Sequence, residues 1–316
     1  MTIRNKHFTY IGYFFKAIKL LFTNPSKFFC VLLGTRIGCI VPDSIYLKRL
    51  FKKKLKYSLN LKNPKTFNEK LQWLKLNDRN PLYTQLVDKY EVRNFVKEKV
   101  GAKYLIPILG VWKNSKDIDF NKLPNQFVLK CTHDSGSVVI CRDKSNFDKK
   151  NAKTILNKGL KRNFYYAGRE WPYKNVKPRI IAEKYMVDES GRELKDYKFM
   201  CFNGKAKCSF VCSNRNLPNG LNVDFYDRNW KPMPFERHYS RSGTLIPKPK
   251  KFDKMVEFAE KLSKDMPFVR VDFYETNGHL FFGELTFYPG AGFEEFSPES
   301  YDYLLGSWIE LPNESK

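Results

Sequence analysis

The sequence predicts an α+β fold built mainly on antiparallel sheets. Strand-like runs outnumber helical ones from residue 104 onward, and their connections read as hairpins. Helical patterns dominate before that point and return only in two later segments.

The elements follow in order. TFNEKLQWLKL opens with Thr66 and Glu69 at capping-box spacing, so each side chain can satisfy a first-turn amide, and a helix to about Asn77 follows. Asn80-Pro81 starts a second helix, with asparagine as cap and proline at the first helical position; Gly101 ends it. Strands read at IPILGVW, FVLKCTH and SVVICR, then a helix near 147–161. Further strands read at RIIAEKYM, YKFMCFNGKAKCSFVC and NVDFYD, then a helix near 252–264 and a last hairpin from Arg270 to Gly292. No internal repeat or low-complexity linker interrupts them.

The chain of 316 residues is 42% hydrophobic and 16% aromatic, enough for a real core and too apolar for wholesale disorder. Its formal charge of +24 implies an anionic partner: nucleotide phosphate, membrane surface, nucleic acid or acidic sugar. Residues 1–57 hold twelve Lys and Arg against one acid, Asp43. Seven cysteines with no C-x-x-C read as reduced thiols in a cytoplasm. Ile11, Phe14, Phe15, Ile18, Leu21 and Phe22 recur at helical spacing around Lys16 and Lys19. That helix either lies in an anionic membrane interface or packs on the protein's own core. Phe28–Val41, broken by Arg36, is shorter than the roughly 20 residues of a spanning helix, so no transmembrane segment is expected. No secretory cleavage site is evident either.

Charge interrupts apolar segments at four places. Asp88-Lys89-x-x-x-Arg93 lies on the helix that Gly101 ends. In FVLKCTHDSGS, Lys130 closes a strand before a Gly/Ser loop, where an amine and approachable backbone N–H groups suit phosphate. Glu183-Lys184 follows Ile-Ile-Ala, and the last hairpin carries Arg270, Asp272, Glu284 and Thr286. Asp272 and Glu284 could hold a hard divalent cation through oxygen. Asn277-Gly278 invites a two-residue turn, but that register puts Asp272 and Glu284 on opposite faces. We therefore expect a three-residue loop, Asn277–His279, or a bulge that does the same work, with all four residues on one face.

The order of these segments resembles that of ATP-grasp ligases, and at motif level D-alanine–D-alanine ligases. The chain is more closely similar to the teichuronopeptide-biosynthesis (TupA-like) ATP-grasp family, through NPKTFNEKLQWLKLNDRNPLY, VDKYEVR, FVLKCTHDSGS, EKYM, DYKFMCFNGK, VDFYDRNW and FGELTFYPG. The resemblance implies two α+β lobes clasping ATP: a basic, mostly helical region at 1–80, a small lobe with its preceding helix at 81–185 and a large lobe at 186–316. It implies ATP and Mg²⁺ as cofactors. It places Arg93 and Lys130 on phosphate, Ser135, Gly136 and Ser137 in a flexible lid, and Glu183 and Lys184 at the adenine edge. Tyr185 and Met186 supply the hinge and an apolar wall, and Asp196 the ribose contact. Asp272, Glu284 and Thr286 fall on metal positions, Arg270 on the arginine that steadies transferring phosphate, and YPGAG faces the acyl substrate. Two positions depart from the family pattern: Thr286 replaces asparagine, and Arg93 replaces lysine, a fork in place of a point charge.

What the resemblance implies is carboxylate–amine ligation through an acyl phosphate in surface-polysaccharide assembly, joining an amine to a hexuronic acid. The carboxylate is already ionised, so no Ser/His/Asp triad or Cys/His pair is needed. His133 is either a substrate contact or a loop residue. The basic amino end would suit an acidic glycan or the inner face of the cytoplasmic membrane. The rival reading is a glycosyltransferase using the Asp117-x-Asp119 pattern on a nucleotide-sugar. A sugar kinase would share the ATP site. Nucleic-acid binding lacks any basic–aromatic module.

Overall fold

A computed structural model describes residues 23, 32, 34–187, 194–214 and 220–312. The amphipathic run Ile11–Phe22 lies outside them. No helix among the described residues is long and apolar enough to cross a membrane.

Helix α1 (Asp43–Leu55) buries Tyr46, Leu47 and Phe51 and turns its lysines outward. Helix α2 (Phe67–Asn77) starts at the expected capping box. Thr66 Oγ1 accepts the Glu69 N–H at 3.1 Å. The Glu69 carboxylate accepts N–H bonds from Asn60, Lys65 and Thr66 at 3.0, 2.9 and 3.2 Å. One side chain thus organises the entry loop as well as the first turn.

The helix expected over 80–101 is two short ones, α3 (Leu82–Val87) and α4 (Val92–Lys99). Asn80 Oδ1 does accept the Leu82 N–H, at 3.1 Å. The break falls at Asp88, whose carboxylate takes the Tyr90 N–H at 2.8 Å and competes with the helix ladder. Lys89 consequently lies in the break, where its N–H donates to the Thr132 carbonyl at 3.0 Å. Gly101 follows α4 at φ 110°, a backbone that only glycine adopts without strain.

Strands β1 (Ile108–Trp112), β2 (Phe127–Cys131), β3 (Val138–Cys141) and β4 (Ile180–Lys184) form a first sheet in the order β1-β4-β2-β3. Helix α5 (Lys149–Leu160) packs Leu156 against Phe127, Leu129 and Ile180 in that sheet's core. A short α6 (Tyr165–Gly168) leads on to β4.

The second sheet takes β5 (Asp196–Phe202), β6 (Lys205–Ser213), β7 (Asn222–Asp227), β9 (Phe268–Thr276) and β10 (His279–Thr286) in the order β10-β9-β5-β6-β7. Every pairing within the two sheets is antiparallel. Strand β5 is central and wholly buried, which explains its near-continuous apolar run. Helix α7 (Phe252–Leu262) buries Phe252, Met255, Phe258, Ala259 and Leu262 from one face. Two-residue strands β8 (Glu236–Arg237) and β11 (Phe296–Ser297) pair with each other, β8 alongside β7, and α8 (Ser300–Ser307) is the last described element.

Helices α2 and α8 meet closely enough that a Cβ on Gly306 would stand 2.2 Å from the Lys65 carbonyl oxygen. The six described cysteines are free; Cys208 and Cys212 are buried strand residues.

These contacts rank two substitutions. Glu69→Ala strips three amides of a charged acceptor and should cost about 2–3 kcal/mol. Thr66→Ala loses one cap bond, about 1 kcal/mol. Urea unfolding monitored by circular dichroism checks the order; a larger loss for Thr66→Ala would remove the three-amide role from Glu69.

Candidate active site

A cleft of about 570 Å³ opens between the two sheets. Its geometry is set by the register of the last hairpin. Asn277 and Gly278 have φ 50° and 71°, and Thr276 pairs with His279. The turn therefore has two residues, as in a type I′ hairpin, and the three-residue loop does not form. The register is rescued by a bulge instead. Phe282 pairs with Phe273 and Leu285 with Val271, so Gly283 and Glu284 together oppose Asp272. Thr286 then stands opposite Arg270. Glycine suits the bulge, because a Cβ on Gly283 would sit 3.1 Å from the Asp272 carbonyl oxygen.

The bulge turns Glu284 onto the face of Arg270 and Asp272. Arg270 donates to Asp272 from Nε at 2.7 Å and from Nη2 at 2.6 Å, and the same Nη2 reaches Glu284 at 2.9 Å. Lys198 stands opposite Asp272 on β5; its ammonium bonds Asp272 and, at 2.6 Å, Asp196. Thr286 Oγ1 donates to Glu284 at 3.2 Å. Five side chains from β5, β9 and β10, Asp196, Lys198, Arg270, Asp272 and Glu284, thereby form one charged wall.

Burial and neighbouring charges oppose each other along this wall. Burial by itself would push the Glu284 carboxyl up, but Lys89, Arg270, Lys198 and Lys130 outweigh it and hold the group at about 2. Burial and Arg270 oppose the charge on Lys198, yet Asp196, Asp272 and Glu284 raise its affinity for the proton. Burial pushes Asp272 up, with Arg270 and Lys198 pulling against it.

The expected residues fall into distinct places. Lys130, Ser135, Gly136, Ser137, Glu183, Lys184, Tyr185, Met186, Asp196, Asp272 and Glu284 line the cleft. Arg270 and Thr286 stand behind Glu284, in contact with it. Arg93 does not line the cleft: its Nη2 is spent on the Ile106 carbonyl at 2.9 Å, and its guanidinium backs Glu183 at 3.8 Å. Glu183 instead ion-pairs with Lys130 at 2.6 Å. Asp88 is buried on Arg179 at 2.8 Å. His133 is buried as well, with Nε2 3.2 Å from the Gly159 carbonyl and 3.1 Å from that of Arg162, so it is a loop anchor. Asp117 and Asp119 bind Asn114 and the Asn121 N–H in an exposed connector outside the cleft, which leaves the glycosyltransferase pattern without a site.

Two cleft cations carry no role in the sequence reading, although Lys89 belongs to one of its charged segments. Lys89 lines the cleft and donates to the Asp134 carbonyl at 2.6 Å, tying the Gly/Ser loop down. Lys198 hides inside an apolar strand. Its signal was period two: Asp196 and Lys198 share a face that Tyr197 and Phe199 do not.

The YPGAG segment lies outside the cleft lining and is held from α2. Gly290, Ala291 and Gly292 all have φ between 52° and 62°. Asn68 Nδ2 donates to the Glu294 carbonyl at 2.9 Å, Gln72 Nε2 to Gly292 at 2.7 Å and Lys75 Nζ to Ala291 at 2.7 Å. Spaced i, i+4 and i+7, these three donors form one stripe of the helix. Lys75 also donates to the Gly168 carbonyl at 2.7 Å; burial draws its pKa down to about 7, against the pull of Glu170.

Mg²⁺ fits this donor set in a limited way. Among the described residues no three His, Cys, Asp or Glu stand together as a metal cage. Asp272 and Glu284 do offer hard oxygens that already converge on one nitrogen of Arg270. One or two carboxylates are what Mg²⁺ uses when substrate phosphates complete its shell.

Two antiparallel α+β lobes closing on a cationic cleft, with paired carboxylates on the last hairpin, define an ATP-grasp fold. A family model described as TupA-like ATPgrasp matches residues 69–310, and the chain belongs to that family. Among solved structures it is similar to the D-alanine–D-alanine ligase of Bacillus anthracis complexed with ATP, at 16% identity over 64% of this chain and 55% of that one, TM-score 0.38. The Helicobacter pylori D-alanine–D-alanine ligase is 12% identical over 77% and 69%, TM-score 0.39. The ADP complex of N5-carboxyaminoimidazole ribonucleotide synthetase is 17% identical over 69% and 50%, TM-score 0.40. The chain thus spans about half the length of two of these three. No curated protein matches it in sequence.

The charged wall makes a pH prediction. A carboxyl held at about 2 in the folded state stabilises the protein above its unfolded value near 4.5, and loses that contribution as pH falls toward 2. Carbon-13 NMR should find Glu284 ionised at pH 4. Lys89→Met should move its midpoint upward; no movement would place Lys89 away from Glu284.

Proposed function

We propose that the protein is an ATP-dependent carboxylate–amine ligase of surface-polysaccharide assembly that joins an amine to a hexuronic acid. The observation that carries this reading is the convergence of Lys89, Lys130 and Lys198, with Arg270 behind them, on Glu284 in a cleft that Asp272 also lines. Such a site cancels repulsion between anions. Val138 and Ile140 line the same cleft yet are 46% and 45% exposed, an apolar wall suited to a planar base. The polysaccharide, uronic-acid and amine assignments follow from family membership. They agree with the basic charge of residues 1–57, through which we also propose peripheral contact with the inner face of the membrane.

In this reading a carboxylate oxygen of the sugar attacks the γ-phosphorus of ATP, and ADP leaves. The amine nitrogen then attacks the acyl carbon, inorganic phosphate leaves, and the nitrogen gives its proton to solvent. Lys130 and Lys89 hold the phosphates. The paired Glu183 keeps Lys130 aimed until nucleotide displaces it. Arg270 steadies the transferring phosphoryl group while fixed in place by Asp272. Asp272 and Glu284, with Thr286 beside them, would hold Mg²⁺, which supplies further charge neutralisation when bound. Ser135, Gly136 and Ser137 cover the nucleotide, and Lys184, Tyr185 and Met186 border its base. Asp196 reaches the ribose or holds Lys198. The YPGAG loop presents the acyl substrate.

The test is ADP release with pooled uronic-acid sugars and amines. Release that needs both supports ligation; release with sugar alone indicates a kinase. ATP–Mg²⁺ should raise the melting temperature and UDP-sugars should not; the reverse would sink the ligase reading. Lys130→Ala and Arg270→Ala should each lower turnover by ~10²–10³. Arg93→Ala, outside the cleft, should lower it less.

A further inference from the structure

We infer that the exposed face of α1 is a docking surface for an anionic lipid bilayer, which sets the YPGAG loop close to the membrane. This deepens the membrane contact proposed above and rests on that reading for its partner.

Helix α1 has two dissimilar faces. Tyr46, Leu47 and Phe51 point into the protein, whereas Ile45, Lys48, Arg49, Lys52 and Lys56 are exposed. Spaced i, i+3, i+4 and i+7, Ile45, Lys48, Arg49 and Lys52 form one stripe, and Lys56 is exposed just past the helix end. Among the described residues no carboxylate pairs with Lys48, Arg49, Lys52 or Lys56. Asp43, the acid of this helix, is turned inward to Arg169 at 3.1 Å. The stripe is therefore cationic without internal compensation.

Aliphatic exposure selects the kind of polyanion. Ile40 is 87% exposed and Ile45 46%, both at the amino end of the stripe. An acidic glycan or a nucleic acid has no use for bare isoleucine beside lysine. A bilayer interface does, because it takes aliphatic groups below its headgroups and cations at them.

The stripe also stands near the substrate side of the protein. Phe51, on the inner face of α1, meets Phe293 with ring centroids 6.3 Å apart, and Phe293 directly follows the loop Pro289–Gly292. Tyr46 donates from Oη to the Ala167 carbonyl at 2.8 Å, fixing the helix on the neighbouring segment. A bilayer seated on α1 thus lies about one helix diameter, ~10 Å, from that loop. A carboxylate borne on a lipid-linked sugar could be presented over such a distance.

The test is co-sedimentation of the full chain with vesicles of phosphatidylglycerol and phosphatidylcholine, against phosphatidylcholine alone. Binding should require the anionic lipid. Lys48→Glu/Arg49→Glu/Lys52→Glu should weaken partitioning by at least about 10²-fold. The charge-matched control Lys116→Glu/Lys122→Glu/Lys158→Glu should weaken it far less. Ile40→Asp/Ile45→Asp should weaken vesicle binding and leave retention on immobilised polygalacturonate unchanged. Circular dichroism melting verifies folding, and the Gln versions of the triple variant replace any that melt early. Loss equal to the control's, with binding retained, assigns the contact to other residues and overturns the α1 surface while leaving membrane contact standing. No binding of the unaltered chain to anionic vesicles overturns both. Vesicle binding indifferent to the isoleucines and displaced by polygalacturonate makes the face a glycan site and overturns the inference.

Discussion

The bidentate contact between Arg270 and Asp272, shared onward to Glu284, is what the rest of the cleft depends on. A lone charge at these depths would be neutralised or expelled. Paired, the opposite charges offset part of each other's burial cost, and Lys198 extends the chain to Asp196. Removing one member leaves another buried and unmatched, which is far costlier than the net worth of the pair. The lattice therefore fixes the spacing of β10, β9 and β5 as firmly as any apolar contact does.

That lattice exists because β10 carries one residue more than β9 at the bulge. The tight Asn277-Gly278 turn alone would send Glu284 to the opposite face. Gly283 absorbs the extra residue, and Glu284 returns to Arg270. The functional wall is thus a consequence of a local irregularity, where a Cβ on Gly283 would crowd the Asp272 carbonyl.

The amino-terminal region belongs to the same construction. Helix α2 is anchored by its capping box at one end and bonds the left-handed loop through Asn68, Gln72 and Lys75 along its length. Its conspicuous string FNEKLQWLK is therefore legible in retrospect as a helix with two tasks: apolar residues Phe67, Leu71 and Leu74 enter the core, and the polar stripe holds the loop. Lys75 is buried by this arrangement, at a cost that three carbonyl and amide partners offset.

The sequence by itself determined the element order, the capped helix, the cation before the Gly/Ser loop and the family, because each rests on local spacing or on long motif strings. It also determined that the hairpin's charges needed one face, and left turn and bulge as alternative means. Tertiary structure decided between them. It also decided that Arg93 backs Glu183 while Lys89 enters the cleft, since Asp88 breaks the helix and re-aims the residues after it. Lys198 shows locally only a shared face with Asp196; its bond to Asp272, 74 residues away, comes from the pairing of β5 with β9. Contacts of that separation are set by register and burial together, and no local pattern of residues records them.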